Sequence, residues 1–256
     1  MSVAALTLRF LNRELQNRFA GSFSGGLWAL IQPLVQLAVY SFVYVRIFKA
    51  QLSGVGAPGY VAFLAAALWP WTAFSEAIVR STTVVQDNAA LIGKVALPRE
   101  VLVLASVASS FLVHLAGFVA ILIVLKLAGQ GIAISGLPYA VLLFAPLFVL
   151  TLGIALIFSA VQVFVRDLAQ ALPQLMQLMM FAAPIFYERG LLPVAARGWL
   201  DLNPFTFYAE SFRAVLLNYG TIDSLHLLIA IVTATVTLLI GHWVFRRLDP
   251  HFEDFL

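Results

Sequence analysis

Few residues in this chain could do covalent chemistry. The only Gly-Lys pair, Gly93-Lys94, has Asn88 at the position where a phosphate-cradling loop needs glycine. Nucleotide hydrolysis is therefore not expected. His114, His226, His242 and His251 share no metal-ligand spacing. Gly21 to Gly25 has Phe23 at its centre, where a nucleophile elbow needs serine. There is no cysteine, which excludes disulfide and thiol chemistry. No catalytic site is expected.

Polar groups within apolar stretches are the next candidates, because ionisable groups inside a membrane cost at least about 2.5–3.5 kcal/mol at mid-span. Glu76 and His114 are the two that stand out. Glu76 has two open readings, an ion pair with Arg80 one turn later or a role at a cytoplasmic gate. For His114 an interhelical hydrogen bond is preferred to a functional role. Gln32 and Gln36 share one helix face, either bonding a neighbour or lining a polar path.

These residues must be positioned by membrane helices. Of 256 residues 62% are hydrophobic and 11% charged, and mean hydropathy is +0.98. A soluble domain is about 45–50% apolar and about 25% charged. Six stretches approach the length of about 20 residues that spans the hydrocarbon core: Leu27–Phe48, Tyr60–Val79, Leu102–Leu127, Leu137–Val165, Leu172–Tyr187 and Leu225–Phe245. The expected class is an all-α integral membrane protein, one domain over residues 1–256. Residues 1–24 read as an amphipathic interface helix, with Ala4, Leu8, Leu11, Leu15 and Phe19 on its apolar side. Residues 188–224 are too apolar for a free loop and read as re-entrant outer helices. Residues 248–256 form a tail.

The net charge is +3, and the basic residues flank apolar stretches, so orientation explains them better than nucleic acid. Arg9, Arg13, Arg18, Arg80, Lys94, Arg99, Arg166, Arg246 and Arg247 fall on one side. Arg46, Lys49, Lys126, Arg189, Arg197 and Arg213 fall on the other. The bias places both termini in the cytoplasm. Arg9, Arg13, Glu14 and Arg18 break up the first two dozen residues, so no cleavable signal is expected.

Four groups of residues carry a resemblance. Arg13-Glu-Leu followed by Arg18-Phe19, Ser22, Gly25, Trp28 and Pro33 resembles the opening of ABC-2 type permeases that export polysaccharides, such as O antigen, capsule and teichoic acid. That family usually has tyrosine and leucine where Phe19 and Ser24 stand. Asn88 to Arg99 (NAALIGKVALPR) is similar to its loop after the second span. Arg166-Asp167 with Pro184-Ile185-Phe186-Tyr187 resembles its fourth-to-fifth helix segment, and Leu202-Asn203-Pro204 with Arg213 its outer region.

The resemblance implies a homodimer in a bacterial inner membrane, with a separate ATPase that binds ATP and Mg and no cofactor in this chain. Arg13, Arg18, Asn88, Leu91, Lys94, Pro98 and Arg99 would couple to that ATPase. ATP binding would move the surface helix and the Asn88–Arg99 loop, opening a path for lipid-linked polysaccharide. Arg18 or Arg80 would draw in its pyrophosphate. A sugar polymer needs flat apolar faces, and Tyr40, Tyr44, Trp69, Trp71, Phe74, Phe181, Phe186 and Tyr187 are the channel candidates. Trp199, Asn203, Pro204, Phe205 and Tyr208 would gate the exit. Export of a drug or lipid, a membrane enzyme of glycan assembly, and a membrane anchor are the rival readings.

Overall fold

The computed structural model describes residues 3–19, 25–49, 57–92, 98–218 and 222–255. Lys94, Ser22 and Ser24 lie outside the described residues. Every regular element among the described residues is helical. The order is α1 (Val3–Phe19), α2 (Gly25–Phe42), α3 (Ala57–Thr82), α4 (Val84–Asp87), α5 (Ala89–Ile92), α6 (Glu100–Leu127), α7 (Leu137–Phe164), α8 (Leu168–Ala182), α9 (Val194–Asp201), α10 (Phe205–Leu217) and α11 (Ser224–Leu248). A π turn, Val43–Ile47, continues α2, and a 3₁₀ turn, Asp249–Asp254, follows α11.

Among the described residues, four stretches are long and apolar enough to cross a membrane: Gly59–Thr82, Glu100–Leu127, Ile134–Phe164 and Ser224–Asp254. They match the second, third, fourth and sixth stretches read from the sequence. Of the other two, α2 with its π turn runs from Gly25 to Ile47 and contains an apolar stretch at Ile31–Ile47, and α8 has 15 residues. α8 starts earlier than expected and ends at Ala182, short of Tyr187.

The bundle is built around α3, which is buried on nearly every side and packs on α6, α7, α10, α8 and α2. α7 has its most extensive contact with α11. Prolines sit inside α2, α3, α7 and α8 at Pro33, Pro70, Pro146 and Pro173. Membrane helices tolerate them because neighbours satisfy the freed carbonyls. Asn218, at φ 53°, ends α10 in the left-handed conformation. Asp223 caps α11 by accepting from the Leu225 N–H, which holds its carboxyl below the usual range, with His226 adding to that.

The face that α1 turns to the bundle is not the whole apolar side read from the sequence. Leu8 is 59% exposed and Phe10 only 8%. Leu6, Phe10 and Leu11 pack on the core, and Glu14 and Arg18 continue the Leu6–Phe10 stripe one turn at a time. A wheel that counts only apolar residues misses a packing face that ends in charge.

Candidate functional site

One end of the bundle gathers α1, α4, α5, the start of α6 and the C-terminal turn. Arg18 Nη2 lies 2.5 Å from Glu76 Oε1, and His114 Nε2 lies 2.6 Å from Glu76 Oε2. Arg80 does not take Glu76, contrary to the local pairing the sequence offered; it reaches Glu14 Oε2 at 3.5 Å. α1, α3 and the middle of α6 are thereby joined by side chains. Trp69 extends the link by donating its indole N–H to the His114 carbonyl at 3.0 Å. Burial pushes the Arg18 guanidinium down from its ordinary value while Glu76 opposes the shift, and arginine remains a cation throughout.

The same end holds the segment from Asn88 to Arg99 at both extremities. Asn88 accepts from Arg13 at 2.5 Å and donates to the Val84 carbonyl at 2.8 Å. Its own carbonyl accepts from the Leu91 and Ile92 N–H groups. Leu91 packs on the core, and Pro98 is exposed. Gln86 donates to the Gln162 backbone carbonyl at 3.1 Å and its side-chain oxygen accepts from the Gln162 amide at 3.2 Å, tying α4 to α7. Neither glutamine stood out in the sequence, since isolated amides carry no spacing signal.

Arg99 is engaged within the chain. It donates to the Asp249 carbonyl at 2.6 Å and carboxylate at 3.1 Å, and to Glu253 at 2.5 Å. Glu100, next to it, lies 2.8 Å from Arg246 Nε and 3.1 Å from His242 Nδ1. Two adjacent residues of opposite charge thus clamp the start of α6 to the end of α11. Arg99→Ala is expected to loosen the C-terminal turn by about 1 kcal/mol. Hydrogen exchange at residues 249–254 checks this, and should rise several-fold there with α7 unchanged.

The aromatic candidates divide into two sets. At the opposite end Tyr40 and Tyr44 of α2 meet Phe186, at ring-centroid distances of 4.9 and 5.2 Å, and Phe181 stacks on Phe186 at 5.2 Å. Tyr187 donates to the Phe181 carbonyl at 3.1 Å. Tyr60, which the sequence reading passed over, stacks on Tyr44 and donates to the Phe186 carbonyl at 2.8 Å. Phe186 is itself buried, as are Trp69, Trp71 and Phe74 in the core. Trp71 and Phe74 pack on Phe205 at 5.0 and 5.7 Å.

The outer candidates also divide. Phe205 and Tyr208 are buried, and Trp199 is 74% exposed. Pro204 is exposed, while Asn203 donates to the Met179 carbonyl at 3.0 Å and accepts from the Phe205 N–H at 3.0 Å. The asparagine therefore adds a second donor to a carbonyl in the last turn of α8, which also accepts the Ala183 N–H, while starting α10. A cleft of about 990 Å³ lies beside it, bounded by Arg189, Asp201, Glu210, Asp223 and His226. Arg189 grips Asp201 with two bonds of 2.7 Å, which raises its pKa. Burial raises that of Glu210, against Arg189 and Arg213.

These features suit a membrane subunit whose surface helix and loop are mechanically tied to its spans. Residues 6–217 match the family model described as ABC-2 type transporter. The chain is 27% identical to the O-antigen export system permease protein RfbA of Klebsiella pneumoniae, covering 96% of this chain and 92% of the relative. It is 28% identical to the protein of the same name in Myxococcus xanthus, over 97% and 94%. The polysialic acid transport protein KpsM of Escherichia coli is 24% identical, over 96% and 93%. With most of its length matched by the family model, a helical bundle of membrane-spanning length and no nucleotide loop, this chain belongs to the ABC-2 type transporter family.

Proposed function

We propose that this chain is the permease subunit of an ATP-driven exporter that moves lipid-linked polysaccharide, O antigen or a similar glycan, out of the cytoplasm. The observation that carries the proposal is similarity over 96% of the chain to permeases named for O-antigen and polysialic acid transport. In this reading α2 and α8 complete six spans with the four longer helices, and α9 and α10 are the re-entrant outer helices. The protein sits in the inner membrane with both termini in the cytoplasm. A separate ATPase binds ATP and Mg, docks against α1 and the Asn88–Arg99 segment, and drives this subunit, which is not an enzyme.

Two copies would meet through α2 and α8. Trp28, Ile31, Leu34, Val35, Val39 and Phe42 leave an apolar face of α2 exposed. Gln32 is exposed among them and Gln36 half-buried, giving that face a polar line. The patch of Tyr40, Tyr44, Phe181, Phe186 and Tyr187 would then offer flat surfaces beside the path, and the Asn203-Pro204 region would cover its exit.

Conditional depletion in the native host tests this. Long lipid-linked glycan is expected to accumulate on the cytoplasmic face while surface glycan disappears. Normal surface glycan without internal accumulation, in a host with no second exporter, would overturn the polysaccharide reading and leave a small amphiphile as cargo.

A further inference from the structure

The four charges at the junction of α1 and α3 have two ways to pair. α1 carries Glu14 and Arg18 one turn apart, and α3 carries Glu76 and Arg80 in the same order and spacing. In the structure they pair across helices and antiparallel, Arg18 with Glu76 at 2.5 Å and Arg80 with Glu14 at 3.5 Å. Each helix could equally pair its own glutamate with its own arginine. Glutamate preceding arginine at i, i+4 is the favourable order for such a pair. Arg18 Nη1 and Arg80 Nε have no partner in the observed pairing, so each guanidinium has a donor left for the exchange.

This arrangement addresses the main difficulty of moving a charged helix at a membrane surface. Pulling α1 away from α3 would ordinarily strand partly buried charges, which is costly. Here every interhelical pair that opens is replaced by an intrahelical one. His114 holds Glu76 from behind, and Trp69 in turn bonds the His114 carbonyl, so motion of Arg18 is felt by both α3 and α6.

We propose that Glu14, Arg18, Glu76 and Arg80 form a two-position latch through which movement of the surface helix is passed to the spans. Glu76 is its positioning residue. The latch rests on the reading of this chain as an ATP-driven exporter. Its closed position is the interhelical pairing and its open position the intrahelical one, and two discrete arrangements are what such coupling needs.

The native chain has no cysteine, so Gln16→Cys on α1 and Asp87→Cys on α4 give one labelled pair per copy, and mixing labelled with unlabelled chains isolates the distance within a copy. Pulsed electron resonance on the complex with its ATPase is expected to show this distance shifting by ~5 Å, about one helical turn, between nucleotide-free and ATP-analogue states. Arg18→Glu with Glu76→Arg keeps every interhelical pair but sets like charges one turn apart on each helix. That variant should assemble, hold one distance in both states and lose export by about tenfold or more. Adding Glu14→Arg and Arg80→Glu restores both pairings and should recover the shift and export. Both variants place the same side chain beside His114, so its response cancels. A two-residue variant that moves and exports normally would overturn the latch, as would a native complex whose distance ignores nucleotide. A native complex that shows the shift but moves no glycan would leave the latch standing and count against the polysaccharide reading.

Discussion

Arg213→Met is expected to abolish export and to destabilise the bundle by about 3–5 kcal/mol. Arg213 is 3% exposed and is shared among three carbonyls: Nε donates to Phe63 at 3.1 Å, Nη1 to Pro184 at 2.5 Å and Nη2 to Ile185 at 2.6 Å. Its guanidinium also lies over the Phe63 ring, 3.4 Å from the centroid. Phe63 lies in α3, while Pro184 and Ile185 lie where α8 has stopped and the backbone is no longer helical. Inside a membrane protein such carbonyls must be satisfied by protein, and Tyr60 completes the set by donating to Phe186. Methionine fills much of the volume and donates nothing. Arg213→Lys keeps the charge but not the fixed fork that spans three acceptors, so it should fall between the two. Thermal unfolding of the detergent-solubilised protein, followed by fluorescence-detected size exclusion, ranks the three forms. Equal midpoints would show that these carbonyls find other donors.

Much of the architecture could be read from apolar length alone, and what could not has a common cause. α6, α7 and α11 were legible because a run of more than about 20 apolar residues has few alternatives to a membrane helix. The helices of residues 188–224 were legible for a related reason, being too apolar to leave in water. Arg213 entered only as an outer positive charge and as part of the Leu202-Asn203-Pro204 resemblance, because a single arginine in a semi-polar segment carries no sign that it folds back between α3 and the end of α8. Glu76 was offered its nearest cation, Arg80, whereas the structure gives it Arg18, far away in the chain. Local spacing cannot rank a partner brought by tertiary packing. The same limit explains the channel aromatics, since Tyr44 and Trp71 look alike in sequence and only packing separates a half-buried patch from the core.

Gly153→Leu is expected to separate α7 from α11 and to cost about 3 kcal/mol or more, because the obstacle is backbone rather than a movable side chain. A Cβ at Gly153 would lie 2.6 Å from the Leu238 nitrogen and the Thr237 carbonyl carbon. A Cβ at Gly241 would run into the Gly153 carbonyl oxygen in turn. Ala230 and Ala234 extend the buried side of α11 along the same approach. Lipid competes equally well for apolar side chains, so membrane helices hold each other largely through close van der Waals packing at small residues. Much of the rest of α11 is exposed, including Leu228, Val232, Leu239 and Trp243, leaving this crossing as its principal attachment. Even Gly153→Ala should therefore destabilise, and Gly241→Ala likewise. Gly198 is the control. It lies inside α9, and a methyl group added there would meet nothing within 4 Å, so Gly198→Ala should stabilise by up to about 1 kcal/mol through helix propensity. Unfolding midpoints that fall for both crossing glycines and rise for Gly198 would establish that α7 and α11 are held by backbone proximity. Tolerance of leucine at Gly153 would mean that α11 can sit further from the bundle without loss of the fold.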